Sequence, residues 1–222
     1  MKRTLFSLAI VGVALMSSCS AKKSTTKTEG KEQATVVEAN VEDASAFLYE
    51  YDASATKINW TAYKTTDKVG VGGSFNKATV TGAVKSQDPK EVIRNVEFTI
   101  PVSGTNTKLA MRDEKIIKFF FGAMTDTENI VGKIVSLEDD GQAMVSLTLN
   151  GVSKDVKATY KVEGASVSLK SVLDLNEFSG QEAVNSLNKA CEKLHAGKDG
   201  VTKLWPEVSI EVSTVLKSHA AS

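Results

Sequence analysis

The chain has 222 residues, enough for one sizeable core and, at roughly 100 to 200 residues per domain, little room for a second. Its 27 Lys and Arg balance 27 Asp and Glu, so no overall field attracts nucleic acid or an anionic membrane surface, and nucleic-acid binding is excluded as a starting expectation. With 3 prolines and charge on 24% of positions, the body reads as an ordinary globular one that folds in water.

At the N-terminus Lys2 and Arg3 precede an apolar run from Leu5 to Leu15, too short to span a bilayer but suited to the core of a secretory signal. Ser17 and Ser18 then lead into Cys19, an order that resembles the lipobox of bacterial lipoproteins, with Met16 where that pattern usually carries Leu. The resemblance implies a signal peptide over 1–18 and an acylated lipid anchor at Cys19; the plainer alternative is an ordinary signal with an incidental cysteine. Acyl chains contribute about 0.8 kcal/mol per buried CH₂, so a multiply acylated Cys19 would hold the chain to a membrane. Cys191 would then be the one remaining thiol, leaving no internal disulfide and stability to the core alone. Residues 19–50 are rich in Lys, Thr, Glu and Ala and almost free of aromatics, the composition of a flexible tether, so a single folded domain is expected over 51–222.

From there period-2 patterning dominates. Val92, Arg94, Val96, Phe98, Ile100 and Val102 share one face of an expected strand, against Glu91, Asn95, Glu97 and Thr99 on the other. The sharpest hairpin signal follows. Ala143, Val145, Leu147 and Leu149 alternate with polar residues up to Asn150-Gly151, the dipeptide that a type I′ turn prefers, and Val156, Ala158, Tyr160 and Val162 alternate after it. A further turn at Glu163-Gly164 leads to Val167, Leu169, Leu173 and Leu175, and Val208, Ile210, Val212 and Leu216 repeat the pattern near the C-terminus. Antiparallel strands joined by short turns predict a closed sheet or a sandwich. Two stretches break the period. Ala183, Leu187, Ala190, Cys191 and Leu194 recur at helical spacing between Ser179 and His195, with Ser179 and Glu182 as a capping box and Gly197 at the far end. Asn106 to Phe120 carries a weaker helical pattern expected to close over the sheet.

Catalytic groupings are scarce. His195 and His219 have no carboxylate or cysteine at metal-ligand spacing and read as exposed, and no serine stands in a nucleophile elbow. No catalytic residue, metal or cofactor is therefore expected, and the chain is not read as an enzyme. The run Gly70-Val71-Gly72-Gly73-Ser74 lacks the lysine and helix of a phosphate loop and reads as a hairpin tip or bulge, while Cys191 on its apolar stripe reads as a small buried hydrophobe. Phe119, Phe120 and Phe121 are consecutive, so they cannot all enter one narrow core. They belong either to a helix end wedged between sheet and lid or to the apolar mouth of a cavity. Trp60 shares a strand face with Ile58 and Ala62 and points inward in a barrel.

Several of these pieces stand in a recognisable series: Ile58-Asn59-Trp60-Thr61-Ala62-Tyr63-Lys64, Val71-Gly72-Gly73-Ser74-Phe75, Arg112-Asp113, Lys118-Phe119-Phe120-Phe121, Gly132-Lys133-Ile134 and Leu147-Thr148-Leu149-Asn150-Gly151-Val152-Ser153-Lys154. In that order, from about Tyr51 to Leu216, they resemble the YceI-like family, also described as polyisoprenoid-binding and lipocalin-like. The resemblance implies a mainly β fold, a single antiparallel up-and-down β-barrel of about eight strands with one or two capping α-helices. It further implies an exported protein whose pore holds an isoprenoid or other lipid. Each buried CH₂ is worth roughly 0.8 kcal/mol, so a long tail binds tightly with few polar contacts. Trp60, Phe98, Ile100, Leu147, Leu149, Tyr160 and Leu169 are expected on the pore wall with Phe119, Phe120 and Phe121. Arg112 and Lys118 are expected at a polar entrance, where an Arg can grip phosphate oxygens, the alternative for Arg112 being an ion pair with Asp113 or a carboxylate of the sheet. The stretch from Leu175 to Pro206 departs from the commoner family pattern and is similar to a subgroup of envelope lipoproteins, which leaves the cargo open. The reading is thus a lipid-anchored, periplasm-facing envelope lipoprotein that binds or sequesters a polyisoprenoid, quinone or other lipid. Its rival is a non-enzymatic envelope scaffold of the same fold with a filled barrel; the oligomeric state is unassigned.

Overall fold

The computed structural model describes residues 47–220. The expected signal peptide, Cys19 and most of the expected tether lie outside the described residues. The first described strand lies inside the stretch read as tether. Strand β1 (Phe47–Glu50) pairs antiparallel with β12 (Lys217–Ala220), Phe47 opposite Ala220 and Glu50 opposite Lys217. Leu48 and Tyr49 are half-buried, and Tyr49 also bridges to Ser86 through two backbone hydrogen bonds of 2.8 and 3.1 Å, so tertiary pairing overrides a weak local sequence signal.

The other strands form one ten-stranded antiparallel sheet. They are β2 (Lys57–Lys64), β3 (Val69–Phe75), β4 (Thr79–Thr81), β5 (Glu97–Pro101), β6 (Thr105–Asn106), β7 (Asn129–Leu137), β8 (Gln142–Leu149), β9 (Val152–Glu163), β10 (Ser166–Asp174) and β11 (Leu204–Val215). Their spatial order is β4-β5-β7-β8-β9-β10-β11-β2-β3-β6. The chain ties the two ends of that order: β4 follows β3 after three residues, and β6 follows β5 after the one-turn 3₁₀ segment Val102–Gly104. The sheet curls as a half-barrel with its apolar face inward. In β8 the alternation is literal, Ala143, Val145, Leu147 and Leu149 being buried while the residues between them are half-exposed.

The hairpin at the β8–β9 corner has the turn its sequence calls for. Asn150 and Gly151 stand at φ 55° and 68°, which L-residues other than Asn adopt reluctantly. Asn150 also staples three segments: its Nδ2 donates to the carbonyls of Phe178 and Ser179 at 2.9 and 3.0 Å, and its Oδ1 accepts from the Thr125 N–H at 2.7 Å. Asn150→Ala should therefore cost about 2–3 kcal/mol of unfolding free energy, since the turn conformation and three hydrogen bonds are lost together. Urea denaturation checks this; a loss below about 0.5 kcal/mol would show the staple to be idle.

Four local expectations need correction. The strand expected from Val92 to Val102 starts only at Glu97, because helix α1 (Pro89–Ile93) precedes it; the Asp88 carboxylate accepts from the Lys90 N–H at 2.8 Å and Pro89 opens the helix. Val92 and Val96 suit helical spacing as well as strand alternation, Ile93 suits the helix alone, and Arg94, out of place on a strand, pairs with Glu91 at 2.7 Å. The helix expected from Asn106 begins at Ala110, because Asn106 closes β6 and the N–H and hydroxyl of Thr107 both donate to Asp113. This helix, α2 (Ala110–Lys115), runs on into a π-helical turn, Ile116–Phe120, and a 3₁₀ turn, Phe121–Ala123. The expected helix over 179–195 is two pieces, α3 (Gln181–Ala190) and α4 (Glu192–His195), broken at Cys191. Its capping box does not form: Ser179 sits at φ 53° as the end of the 3₁₀ turn Leu175–Phe178, and Gly180 takes the cap position. Finally, Gly70–Ser74 is no hairpin tip but the body of β3. Gly73 lies opposite Trp60, and a Cβ there would fall 2.2 Å from the indole ring, so the glycine makes room for the tryptophan.

Candidate ligand-binding cavity

Because side chains on a strand alternate, the inward residues of β2, β5, β8, β10 and β11 share one enclosed space. It is not filled. A deep cavity of about 180 Å³ is walled by residues that include Ile58, Phe98, Ile100, Leu147 and Leu169, with Tyr51, Thr56 and Thr214 at one end. The Thr56 hydroxyl donates to that of Thr214 at 2.8 Å, which leaves this end with satisfied polar groups. A second cavity of about 110 Å³ shares Ile130 and Leu173 with the first and is walled by Trp60, Phe75, Phe120, Phe121, Leu149 and Leu187. A third, of about 510 Å³, shares Trp60, Ala62, Ile116, Leu187 and Leu204 with the second and forms a mouth between α2 and the α3–α4 pair, where Leu109, Met111, Arg112, Lys115, Leu194 and His195 also line it. The three spaces thus follow one another, the inner two almost wholly apolar and the outer one cationic. Site sizes of this order suit a small ligand.

The sequence-selected residues divide among them. Phe98, Ile100, Leu147 and Leu169 line the deep cavity, Trp60, Leu149, Phe120 and Phe121 the middle one, and Arg112 the mouth. The phenylalanine run splits as its spacing demands. Phe121 is buried, edge-on to Phe120 at 5.0 Å and 6.4 Å from Phe75, whereas Phe119 lies half-buried away from the cavities with the Lys118 ammonium 5.3 Å over its ring. Lys118 lines none of the three spaces. Nor does Tyr160, which packs against the core around Val92 and Ala143 and donates its hydroxyl to the Glu138 carbonyl at 2.7 Å. Arg112 is not paired with Asp113, whose carboxylate is held by Thr107. Trp60 has an unexpected property: its indole N–H is buried with no acceptor among the described residues, a donor that a ligand oxygen or a water would satisfy.

His195, expected exposed, is buried at the mouth, because the chain turns back after it and Ala196 bridges Thr202. Its Nδ1 lies 2.9 Å from Asn188 Oδ1, and burial, with Lys64 and Lys115 nearby, pushes its pKa down from 6.5 to about 4. A folded state that keeps this imidazole neutral is at full strength above pH 6.5 and weakens as pH falls from there towards 4, as the unfolded chain takes up the proton. The linked loss between pH 7 and pH 5 is about 2 kcal/mol, and urea midpoints at the two pH values should show it in the wild type and not in His195→Gln. Equal slopes in the two proteins would place the acid sensitivity elsewhere. Lys64, Lys115, Leu187 and Met111 also belong to the mouth and were not selected from the sequence; the helical spacing of Met111, Lys115 and Leu187 carried a signal, but Lys64 reaches the mouth only through the pairing of β2.

The family model for the YceI-like domain matches residues 49–216. The chain belongs to the YceI-like family. No curated protein matches it. Among solved structures, this YceI-like chain is similar to BcnA of Burkholderia cenocepacia, with 16% identity and a TM-score of 0.52 over 76% of this chain and 99% of that one. It is equally similar to a polyisoprenoid binding domain from Saccharophagus degradans implicated in plant cell wall breakdown, with 15% identity and a TM-score of 0.52 over 79% and 99% of the two chains. At such identities the likeness speaks for the fold.

Proposed function

We propose that this YceI-like protein is an envelope lipoprotein, anchored at Cys19 and facing the periplasm, that carries or sequesters one slender apolar molecule, a polyisoprenoid, quinone or other lipid, without performing chemistry on it. The observation that carries this reading is the pair of adjoining inner cavities, which share Ile130 and Leu173 in their walls and are lined by aliphatic and aromatic side chains such as Ile58 and Phe121. Counting β3 with β4 and β5 with β6 as single staves gives eight, each beside its chain neighbour, a number whose interior is just wide enough for one such ligand. The polyisoprenoid binding of the Saccharophagus degradans domain points the same way. The unpaired Trp60 N–H favours a ligand that bears an oxygen, and Arg112 and Lys115 at the mouth suit a polar end left near solvent.

The test is purification of the full chain from membranes followed by native mass spectrometry. One isoprenoid, quinone or fatty acyl molecule per chain is the expected result. An empty protein that also fails to take up such lipids from vesicles would overturn the carrier reading. A single dominant protein partner after crosslinking in cells, with no lipid, would favour a scaffold instead. Loss of membrane association in Cys19→Ala is expected for the anchored form, and unchanged fractionation would remove the anchor from the proposal.

A further inference from the structure

The mouth carries a feature that cargo binding does not require. Met111 is 80% exposed, Leu194 60% and Leu109 54%, and all three line the same opening, two from the entry to α2 and one from α4 across it. Large apolar side chains exposed singly are ordinary, but three around one rim form a patch. The charged groups in that rim are of one sign. Lys64, Arg112 and Lys115 line it, and no carboxylate does: Asp113 is turned onto Thr107, while Glu114 and Glu192 occupy the same helices without reaching the opening. Lys64 is held there, its ammonium donating to the Leu194 carbonyl at 2.7 Å, which ties β2 to α4 across the mouth. The chain as a whole is neutral, so this cationic rim is a local arrangement.

Apolar tips flanked by Lys and Arg, whose long stems reach outward to polar head groups, are the composition of a surface that seats in the interfacial layer of an anionic bilayer. None of the helices described is long and apolar enough to cross a membrane, so contact of this kind would be peripheral. We propose that the mouth docks on an anionic membrane surface, with Met111, Leu109 and Leu194 in the acyl boundary and Arg112, Lys115 and Lys64 at the phosphates. The opening of the inner cavities then faces lipid directly instead of water. The docking stands apart from the carrier reading, since a rim can seat whether or not the barrel holds cargo.

The experiment places a reporter in the rim of the full chain. Met111→Trp and Leu194→Trp variants are mixed with vesicles of brominated phosphatidylglycerol, and their quenching is compared with that of the wild type and of Val172→Trp, an exposed site on β10. Bromine quenches only an indole that enters the bilayer, and subtracting the wild-type signal removes Trp60, Trp205 and any membrane attachment through the N-terminus. The two rim variants should lose at least half of the added fluorescence and Val172→Trp almost none. Adding Arg112→Glu and Lys115→Glu to Met111→Trp should reduce that quenching at least threefold, as should vesicles of brominated phosphatidylcholine. Rim quenching no greater than that of Val172→Trp would overturn the docking, whatever lipid the protein carries. Equal quenching by the two vesicle types would overturn the anionic preference. A lipid-free protein whose rim is still quenched would retire the carrier and leave the docking standing.

Discussion

Phe178→Ala is expected to lower the unfolding free energy by about 3–5 kcal/mol, the largest single-residue effect in the molecule. Phe178 ends the 3₁₀ turn that follows β10 and has 0% of its surface exposed. It packs in the cluster of Val102, Phe121, Leu147, Leu149, Leu175 and Val184, which joins β8, the 3₁₀ turn Phe121–Ala123 and α3. Its backbone is fixed as well, the carbonyl accepting from Asn150, so the surroundings can collapse only partly into the space that truncation leaves. For a domain of this size the melting temperature should fall by on the order of 10 °C. Calorimetry and urea denaturation measure it directly, and a loss under about 1 kcal/mol would mean that the site repacks freely.

The second large effect is on cargo. Ala62 lines both the middle cavity and the mouth, so a larger side chain there would stand between them. Ala62→Trp places an indole there, beside Ile116, Leu187 and Leu204. Lipid retained on purification should drop at least tenfold, while the far-ultraviolet spectrum stays that of the wild type, because the added ring enters space and not packed core. Undiminished lipid in a folded Ala62→Trp protein would show that ligand enters by another route. An unfolded variant calls for Ala62→Leu, a smaller plug in the same place, with the same comparison.

Much of this fold is legible in the order of its residues. The β8–β9 hairpin and the inward faces of β2, β8 and β10 follow from strict alternation or from one dipeptide whose backbone needs are unusual, and the buried Cys191 follows from helical spacing. What escapes is decided by more than one segment at once. Val92 and Val96 satisfy both periods, and Asp88-Pro89, lying just outside the pattern, settles the matter. His195 looks terminal because its helix ends there, yet residues 196–203 fold back over it, and the Lys203 N–H donates to its carbonyl. The glycines of β3 read as a turn because the tryptophan that Gly73 accommodates lies on another strand. For the site, the wall positions are legible where periodicity places them inward, whereas Phe119 and Lys118 are misplaced by a single residue of helical phase. The cationic mouth draws on Lys64, which shares the opening with Arg112 only after the 47 intervening positions have looped back.

The four-residue ladder between β1 and β12 stands apart from the main sheet. Its outermost rung is Phe47 opposite Ala220, and the remaining rungs lead from there towards the barrel. Tension applied through the N-terminal side therefore opens the ladder one rung at a time, like a zip, instead of shearing all rungs together. Such an element yields at low force and acts as a mechanical fuse: a pull on Phe47 frays Phe47 to Glu50 while the walls around the cavities keep their shape.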